Sequence, residues 1–388
     1  MKRMLLVADP LDGPTSVQFE LLASLFRELS SQYSVVLFTP HCEPDGARAL
    51  TALGFEVRVG SARGFRGNRV LGRLGRSNES MLWAESWLRE VTCRRNEREA
   101  ARDIRREEFD VVVNMSMTVP VPSDIWWVQG TPLDLTLRGM ADLNVAARLA
   151  DLAARSAISS LDTALQAKVR KNAGRVIANS PYLQELYLSR GIHVDGVVYS
   201  LKDFGGFTPH ATRANRDYVL LYIGKETPTL NIKPLQQAGV KVVGFGNKIP
   251  ATTRLRNYTD WVDFRGRVTH DELVSLYSNA LFTLFPFSFE PLGFVPIESM
   301  ACGTPVLTFN RQGPASTVVD GRTGWLVGTP AELVAKAAEI WRRGDTGIPP
   351  ADCVLRAREF SPRRSVAALL HWAQLSAERK NDTARAYH

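Results

Sequence analysis

Along almost the whole of this chain, apolar runs of strand length alternate with amphipathic stretches of helical spacing, and that alternation confines it to an α/β fold built on parallel strands. The runs MLLVA, YSVVLFTP, FEVRV, FDVVVNMS, IWWVQG and RVIANS form a first series, with SVQFELLASLFREL and PYLQELYLSRG among its helical patterns. A charged helical region spans about Ser80 to Glu108, and another runs from about Leu137 to Lys171. After the glycine-rich segment GGFTPHATRANRD, Gly205 to Asp217, which reads as an interdomain linker, a second series begins: YVLLYIG, VKVVGFG, VDFRG, LFTLFPF, TPVLTF and TGWLV. At 388 residues the chain exceeds the roughly 250–300 at which one core stops growing. The expectation is therefore two Rossmann-like domains, 1–205 and 206–365, and a closing helix, 366–388, that crosses back to the first and ends in a polar tail. Ligands of such folds sit beyond the carboxyl ends of the strands, so the loops after strands are where chemistry is sought.

Composition excludes several classes. With 45% hydrophobic and 23% charged residues, the chain is neither disordered nor fibrous. Cys42, Cys93, Cys302 and Cys353 form no C-x-x-C pair, which disfavours a disulfide framework or a zinc site and suits a reducing cytoplasm. No apolar stretch reaches the roughly 18 residues needed to cross a bilayer, and the opening MLLVA is broken by Asp9 and Pro10, so it reads as a strand rather than a leader. A net charge of +8 favours anionic partners. Five arginines, Arg63, Arg66, Arg69, Arg73 and Arg76, alternate with apolar residues and no acid, a mixture suited to an anionic membrane surface as well as to a solvated loop.

The densest chemistry lies in FSFEPLGFVPIESMACGTPVLTF. Glu290 falls on a glycine loop and Glu298, eight positions on, within the following helix. A glycine loop opening a helix leaves amides exposed at the positive end of the helix dipole, which suits an anion. Glu290 beside that anion and Glu298 two turns down are too far apart to act as an acid and base pair, and each is better suited to gripping hydroxyls.

This region resembles the family 4 retaining glycosyltransferases, which adopt the two-domain GT-B fold and carry such a glutamate pair. The likeness runs from WVDFRGRVTHDELV through GRTGWLV, with weaker agreement in RVIANSPYLQELY. The resemblance implies an enzyme that moves a sugar from a nucleotide diphosphate donor, UDP or GDP, to a hydroxyl acceptor. Glu290 would contact the donor sugar, the amides of Gly293, Phe294 and Val295 its distal phosphate, Glu298 the ribose and Val268 the nucleobase. Lys225, after Gly224 at a strand end, and Lys233 would meet the diphosphate in place of a metal; no Asp-x-Asp motif occurs and no cofactor is implied. Gly13 in the first turn would lie near the phosphate and the acceptor. Asn114, Gln129 and Gly130 would line the acceptor side, and Gln129 stands where many relatives have histidine, so a general base there is not expected. The rival readings are a nucleotide-sugar epimerase of the same fold and a non-catalytic carbohydrate or nucleic-acid binding protein. A nucleic-acid partner is not expected, and the setting is cytoplasmic or peripheral at a membrane.

Overall fold

A computed structural model describes residues 1–11, 17–60, 79–135, 145–209, 216–224, 227, 233–246 and 262–386. The chain divides into two compact units, one of Met1–Asp134, Ala154–Asp203 and Pro362–His388, the other of Leu135–Ala153 and Phe204–Ser361.

The first unit holds a 7-stranded sheet in the order β3-β2-β1-β4-β5-β6-β7. Its strands are β1 Lys2–Val7, β2 Tyr33–Thr39, β3 Glu56–Val59, β4 Val111–Asn114, β5 Ser123–Val128, β6 Ala173–Ala178 and β7 Gly196–Val197. The second unit holds a 6-stranded sheet in the order β10-β9-β8-β11-β12-β13. These are β8 Val219–Tyr222, β9 Val242–Phe245, β10 Val262–Phe264, β11 Thr283–Phe285, β12 Val306–Phe309 and β13 Gly324–Val327. Every pairing is parallel. In each sheet the chain starts mid-sheet, builds to one edge and returns, so strand order reverses between β1 and β4 and between β8 and β11. Such reversal points open a crevice at the carboxyl ends of the strands.

Residues of β1 alternate between two cores, as strand geometry requires. Met4 and Leu6 join Leu22 and Leu25 of the helix Val17–Leu29 and Val366, Leu369 and Ala373 of the closing helix Pro362–Ala386, whereas Leu5 and Val7 join Ala100 and Ile104. The closing helix thus covers one face of the first sheet. There Arg175 lies over the Trp372 ring at 5.5 Å, and a Cβ on Gly196 would meet that ring at 2.5 Å. At 2 residues, β7 is too short to show periodicity in sequence.

Two expectations change. The charged region from Ser80 to Glu108 is not one helix: helices Glu79–Cys93 and Arg95–Asp103 meet at Arg94, left-handed at φ 49°, and a 3-10 turn Arg106–Glu108 follows. The Glu90 carboxylate accepts from the Glu97 amide at 3.0 Å and so serves the second helix's start, a contact that no periodicity reveals. Nor is the segment after Gly205 a loose linker at its start. Phe204 and Phe207 are buried, with Phe207 4.8 Å from the His270 ring and Phe204 6.3 Å from Phe294. His270 begins its helix while Thr269 caps it, in a reciprocal capping box with Glu272 that the T-x-x-E spacing announces. The stretch from Arg63 to Arg76 lies outside the described residues, among which no helix is long and apolar enough to cross a membrane.

Candidate functional site

After β11 the chain turns through Pro286–Gly293 into the helix Phe294–Ala301. Gly293, at φ 97°, occupies the left-handed region that a β-carbon disfavours, and its own Cβ would stand 3.3 Å from Pro296 and Pro314. The loop is held from within and from below. Oε1 of Glu290 accepts from the amides of Leu292, at 3.2 Å, and Gly293, at 3.0 Å. The Gln312 side-chain oxygen accepts from the Glu290 amide at 2.7 Å, and the Gly313 amide donates to the Glu290 carbonyl at 3.0 Å. Gln312 is itself left-handed at φ 54°. The Gln312-Gly313-Pro314 turn therefore shapes the loop that presents Glu290.

Glu298 is 4% exposed, unlike most acidic helix residues, and its Oε2 accepts from the Tyr277 hydroxyl at 2.9 Å. Burial, with Glu298 adjoining, raises the Tyr277 phenol well above its ordinary value, so it remains a donor. Tyr277 is fixed by Phe245, 5.6 Å between centroids, and by Thr304, whose hydroxyl donates to its carbonyl at 2.6 Å. Sequence reasoning missed Tyr277, since an aromatic at helical spacing signals core rather than a partner for a carboxylate.

Gly224 lies two positions beyond β8, which pairs with β11; its amide donates to Thr227 Oγ1 at 2.9 Å in a tight turn. Lys225 lies outside the described residues, and Lys233 is exposed at the start of the helix Lys233–Gln237. Val268 is half-buried beyond β10, two strands from β8. Backbone meets backbone across these strand ends: a Cβ on Gly246, at φ 141°, would stand 2.0 Å from the Ile223 carbonyl oxygen. Thus Glu290, Gly293, Phe294, Val295 and Glu298 share one strand–loop–helix unit, Gly224 follows the neighbouring strand, Val268 follows β10 two strands from β8, and Lys233 starts the helix after β8. Among the described residues, no group of His, Cys, Asp and Glu side chains could hold a metal ion.

In the first unit, Gly13 is outside the described residues. Asn114, fully buried, is occupied by its own loop: Nδ2 donates to the Val119 carbonyl and Oδ1 accepts from the Ser116 amide, each at 2.9 Å. Asp9, which sequence reasoning passed over as the end of a strand, accepts from the Ser116 and Thr118 hydroxyls at 2.5 and 2.6 Å and from the Met117 amide at 2.9 Å. It ties the end of β1 to the loop after β4, and burial raises its pKa despite these bonds. Gln129 and Gly130 follow β5. The Gln129 carbonyl accepts from Asn179 Nδ2 and its Oε1 from the Ser200 hydroxyl, each at 2.9 Å, while the Gly130 carbonyl accepts from the Tyr187 hydroxyl at 3.4 Å.

The segment beyond Gly130 is anchored by carboxylates. Asp162 accepts from the Asp134 amide at 2.7 Å and from Trp87 Nε1 at 2.6 Å, and Arg190 pairs with Asp134 at 2.8 Å. Burial, opposed by those two hydrogen bonds, raises the Asp162 carboxyl to about 6. Because the folded pKa exceeds the ordinary carboxylate value, the folded state holds a proton that the unfolded state has lost, and the contribution from this group falls as pH rises from about 4 through about 6. Chemical denaturation between pH 4 and 7 is expected to show this falling component and to lose it in Asp162→Asn; an identical pH profile in the variant would refute the assignment.

Residues 216–351 match the family model described as "Glycosyl transferases group 1". A glycogen synthase of Mycobacterium tuberculosis is 35% identical over 77 residues, 20% of this chain and 18% of that protein. The alpha-1,3/1,6-mannosyltransferase alg-2 of Neurospora crassa is 38% identical over 84 residues, 19% of this chain and 18% of that one. The chain therefore spans under a fifth of the length of these curated relatives. Among solved structures, HepE of Anabaena, determined with UDP and glucose, superposes with a TM-score of 0.58 at 15% identity over 96% of this chain and 100% of that one. Sucrose-phosphate synthase of Thermosynechococcus elongatus superposes with a TM-score of 0.58 at 18% identity, covering 100% and 99%. At such identities the likeness is one of fold, the two-domain α/β architecture of GT-B.

Proposed function

We propose that this chain, whose residues 216–351 match the family model of group 1 glycosyl transferases, transfers a sugar from a nucleotide diphosphate sugar to a hydroxyl with retention at the anomeric carbon. The observation that carries this reading is the pairing, on one strand–loop–helix unit at the β8/β11 reversal, of Glu290 folded onto the loop amides and Glu298 buried against Tyr277. Glu290 meets hydroxyls of the donor sugar, the Gly293, Phe294 and Val295 amides its distal phosphate, and Glu298 the ribose. Glu298 suits that task because Tyr277 fixes its orientation before any ligand arrives, so little ordering is needed on binding. Val268 faces the base, and Lys225, with Lys233, offsets the diphosphate charge. In the reaction the bond from the anomeric carbon to the diphosphate oxygen breaks, the acceptor oxygen bonds to that carbon on the same face, and the acceptor proton passes to the departing phosphate. Gln129 takes no part in proton transfer. Catalysis rests on positioning and charge stabilisation, with no cofactor. The acceptor is a glycan, a lipid-linked sugar or a small metabolite, and the basic Arg63–Arg76 stretch favours a cytoplasmic enzyme touching an anionic membrane.

Thermal shift with UDP, GDP and ADP sugars tests the donor half. A donor raises Tm of the wild type by mass action, and Glu298→Ala abolishes that rise. The alanine variant also starts less stable by about 1–3 kcal/mol, because the Tyr277 hydroxyl loses its buried acceptor. Glu298→Gln retains an acceptor for Tyr277 and regains much of that stability without regaining donor affinity. No shift with any donor, or an undiminished shift in Glu298→Ala, overturns the assignment. Product configuration by NMR tests retention, and an inverted product refutes it.

A further inference from the structure

Gln129 and Asn179 are adjacent at the carboxyl edge of the first sheet, one position beyond the paired residues Val128 and Ala178 of β5 and β6. The Asn179 amide donates to the Val128 carbonyl at 3.0 Å, which extends the ladder to this point. Two side-chain amide atoms here are buried without a protein partner, Gln129 Nε2 and Asn179 Oδ1. Asn179 is 4% exposed and Ser200, which binds Gln129, is 5% exposed. Buried polar groups in folded proteins are nearly always satisfied, and an unsatisfied one costs stability. Two orphans side by side, on residues otherwise held by hydrogen bonds, are therefore a cost that a ligand can offset.

Their orientation is determined in part. Asn179 Nδ2 faces a backbone carbonyl, which only accepts, so Oδ1 is the atom left over. The Ser200 hydroxyl both donates and accepts, so Gln129 is able to present either its amide N–H or its carbonyl. With the Ser200 hydroxyl donating to Gln129 Oε1, a ligand hydroxyl that accepts from Gln129 Nε2 and donates to Asn179 Oδ1 satisfies both orphans; a carboxylate or phosphate, acceptor only, would leave Asn179 Oδ1 facing another acceptor. We propose that Gln129 and Asn179 together bind one hydroxyl of a polyhydroxylated acceptor, with Ser200 as the positioning residue that holds the Gln129 amide in place. The proposal rests on the transferase reading and specifies its acceptor side: a neutral polyol or sugar ring at this point rather than an anionic group.

Saturation-transfer NMR on the full chain, in the presence of a nucleotide that the thermal shift shows to bind, tests it with glucose, mannose, galactose and myo-inositol as probes and inorganic phosphate as the anionic control. At least one polyol shows transfer in the wild type. Gln129→Met, similar in length and without the amide, weakens that polyol at least tenfold; its Tm reflects two opposed changes, since an unsatisfied polar atom is removed while the buried Ser200 hydroxyl loses its acceptor. Ser200→Ala weakens it less, and Gln129→Asn, too short to reach, does not rescue it. Should Gln129→Met unfold the protein, the Ser200→Ala result decides. Undiminished polyol binding in both variants, or no polyol transfer despite nucleotide binding, means that the two atoms merely hold a buried water and overturns the proposal. Absence of nucleotide binding instead removes the transferase reading on which it stands.

Discussion

Gly313→Ala is expected to lower Tm and to weaken nucleotide-sugar binding at least tenfold, although Gly313 has no assigned contact with the donor. Its backbone, at φ −57° and ψ −47°, is one that alanine adopts freely, so conformational strain is not the cause. The cause is space: a Cβ there would stand 2.3 Å from the Leu292 nitrogen and 2.4 Å from the Pro291 carbonyl carbon. Both are main-chain atoms, which cannot rotate away as a side-chain tip can. The 290–293 loop must shift instead, and with it the two amides that hold the Glu290 carboxylate. Overpacking of this kind costs about 1–3 kcal/mol, and more where backbone must move. Isothermal titration with the donor found above, alongside differential scanning calorimetry, measures both effects. Wild-type affinity in Gly313→Ala would mean that the turn does not shape the loop.

Glu290→Ala is expected to reduce transfer by about two to three orders of magnitude, the scale seen when one electrostatic contact to a transition state is removed. Two losses combine in that variant, since the Leu292 and Gly293 amides also lose their acceptor. Glu290→Gln separates them. Its carbonyl still accepts from both amides, so the loop keeps its shape and Tm stays near that of the wild type, while the charge proposed to face the sugar is gone. Initial rates at saturating donor should show kcat lowered in both variants and KM for the donor raised mainly in Glu290→Ala. A Glu290→Gln enzyme with wild-type kcat would remove Glu290 from the reaction and leave it a loop-forming residue.

Much of the architecture was legible because parallel strands buried on both faces write themselves as continuous apolar runs. All the runs from MLLVA to TGWLV became strands, and among the described residues only β7, with 2 residues, escaped. The placement of the candidate site was legible for a similar reason: strand, loop and helix follow one another in sequence, so Glu290, Gly293 and Glu298 are local neighbours. What supports the motif is not local. Gln312 reaches Glu290 across 22 positions, Tyr277 reaches Glu298 across 21, and Asp9 reaches Ser116 across 107, so none of these partners carries a spacing that could be read. Asn114 shows the opposite failure. It lies at a strand end, where ligands are sought, but its side chain is consumed by its own turn.

The placement of the closing helix bears on the order of events during synthesis. Val366, Leu369 and Ala373 complete a core whose other members, such as Met4, Leu22 and Leu25, are made first. Between them lies the second unit's stretch Phe204–Ser361, 158 residues long. At roughly 5–20 residues per second, the ribosome needs about 8–30 s to pass through it. For that interval the first sheet carries an uncovered apolar face while the second unit can already close around its own core. The part of the molecule made first is thus the last to be sealed, and a chaperone that shields Leu22 and Leu25 has its longest window there.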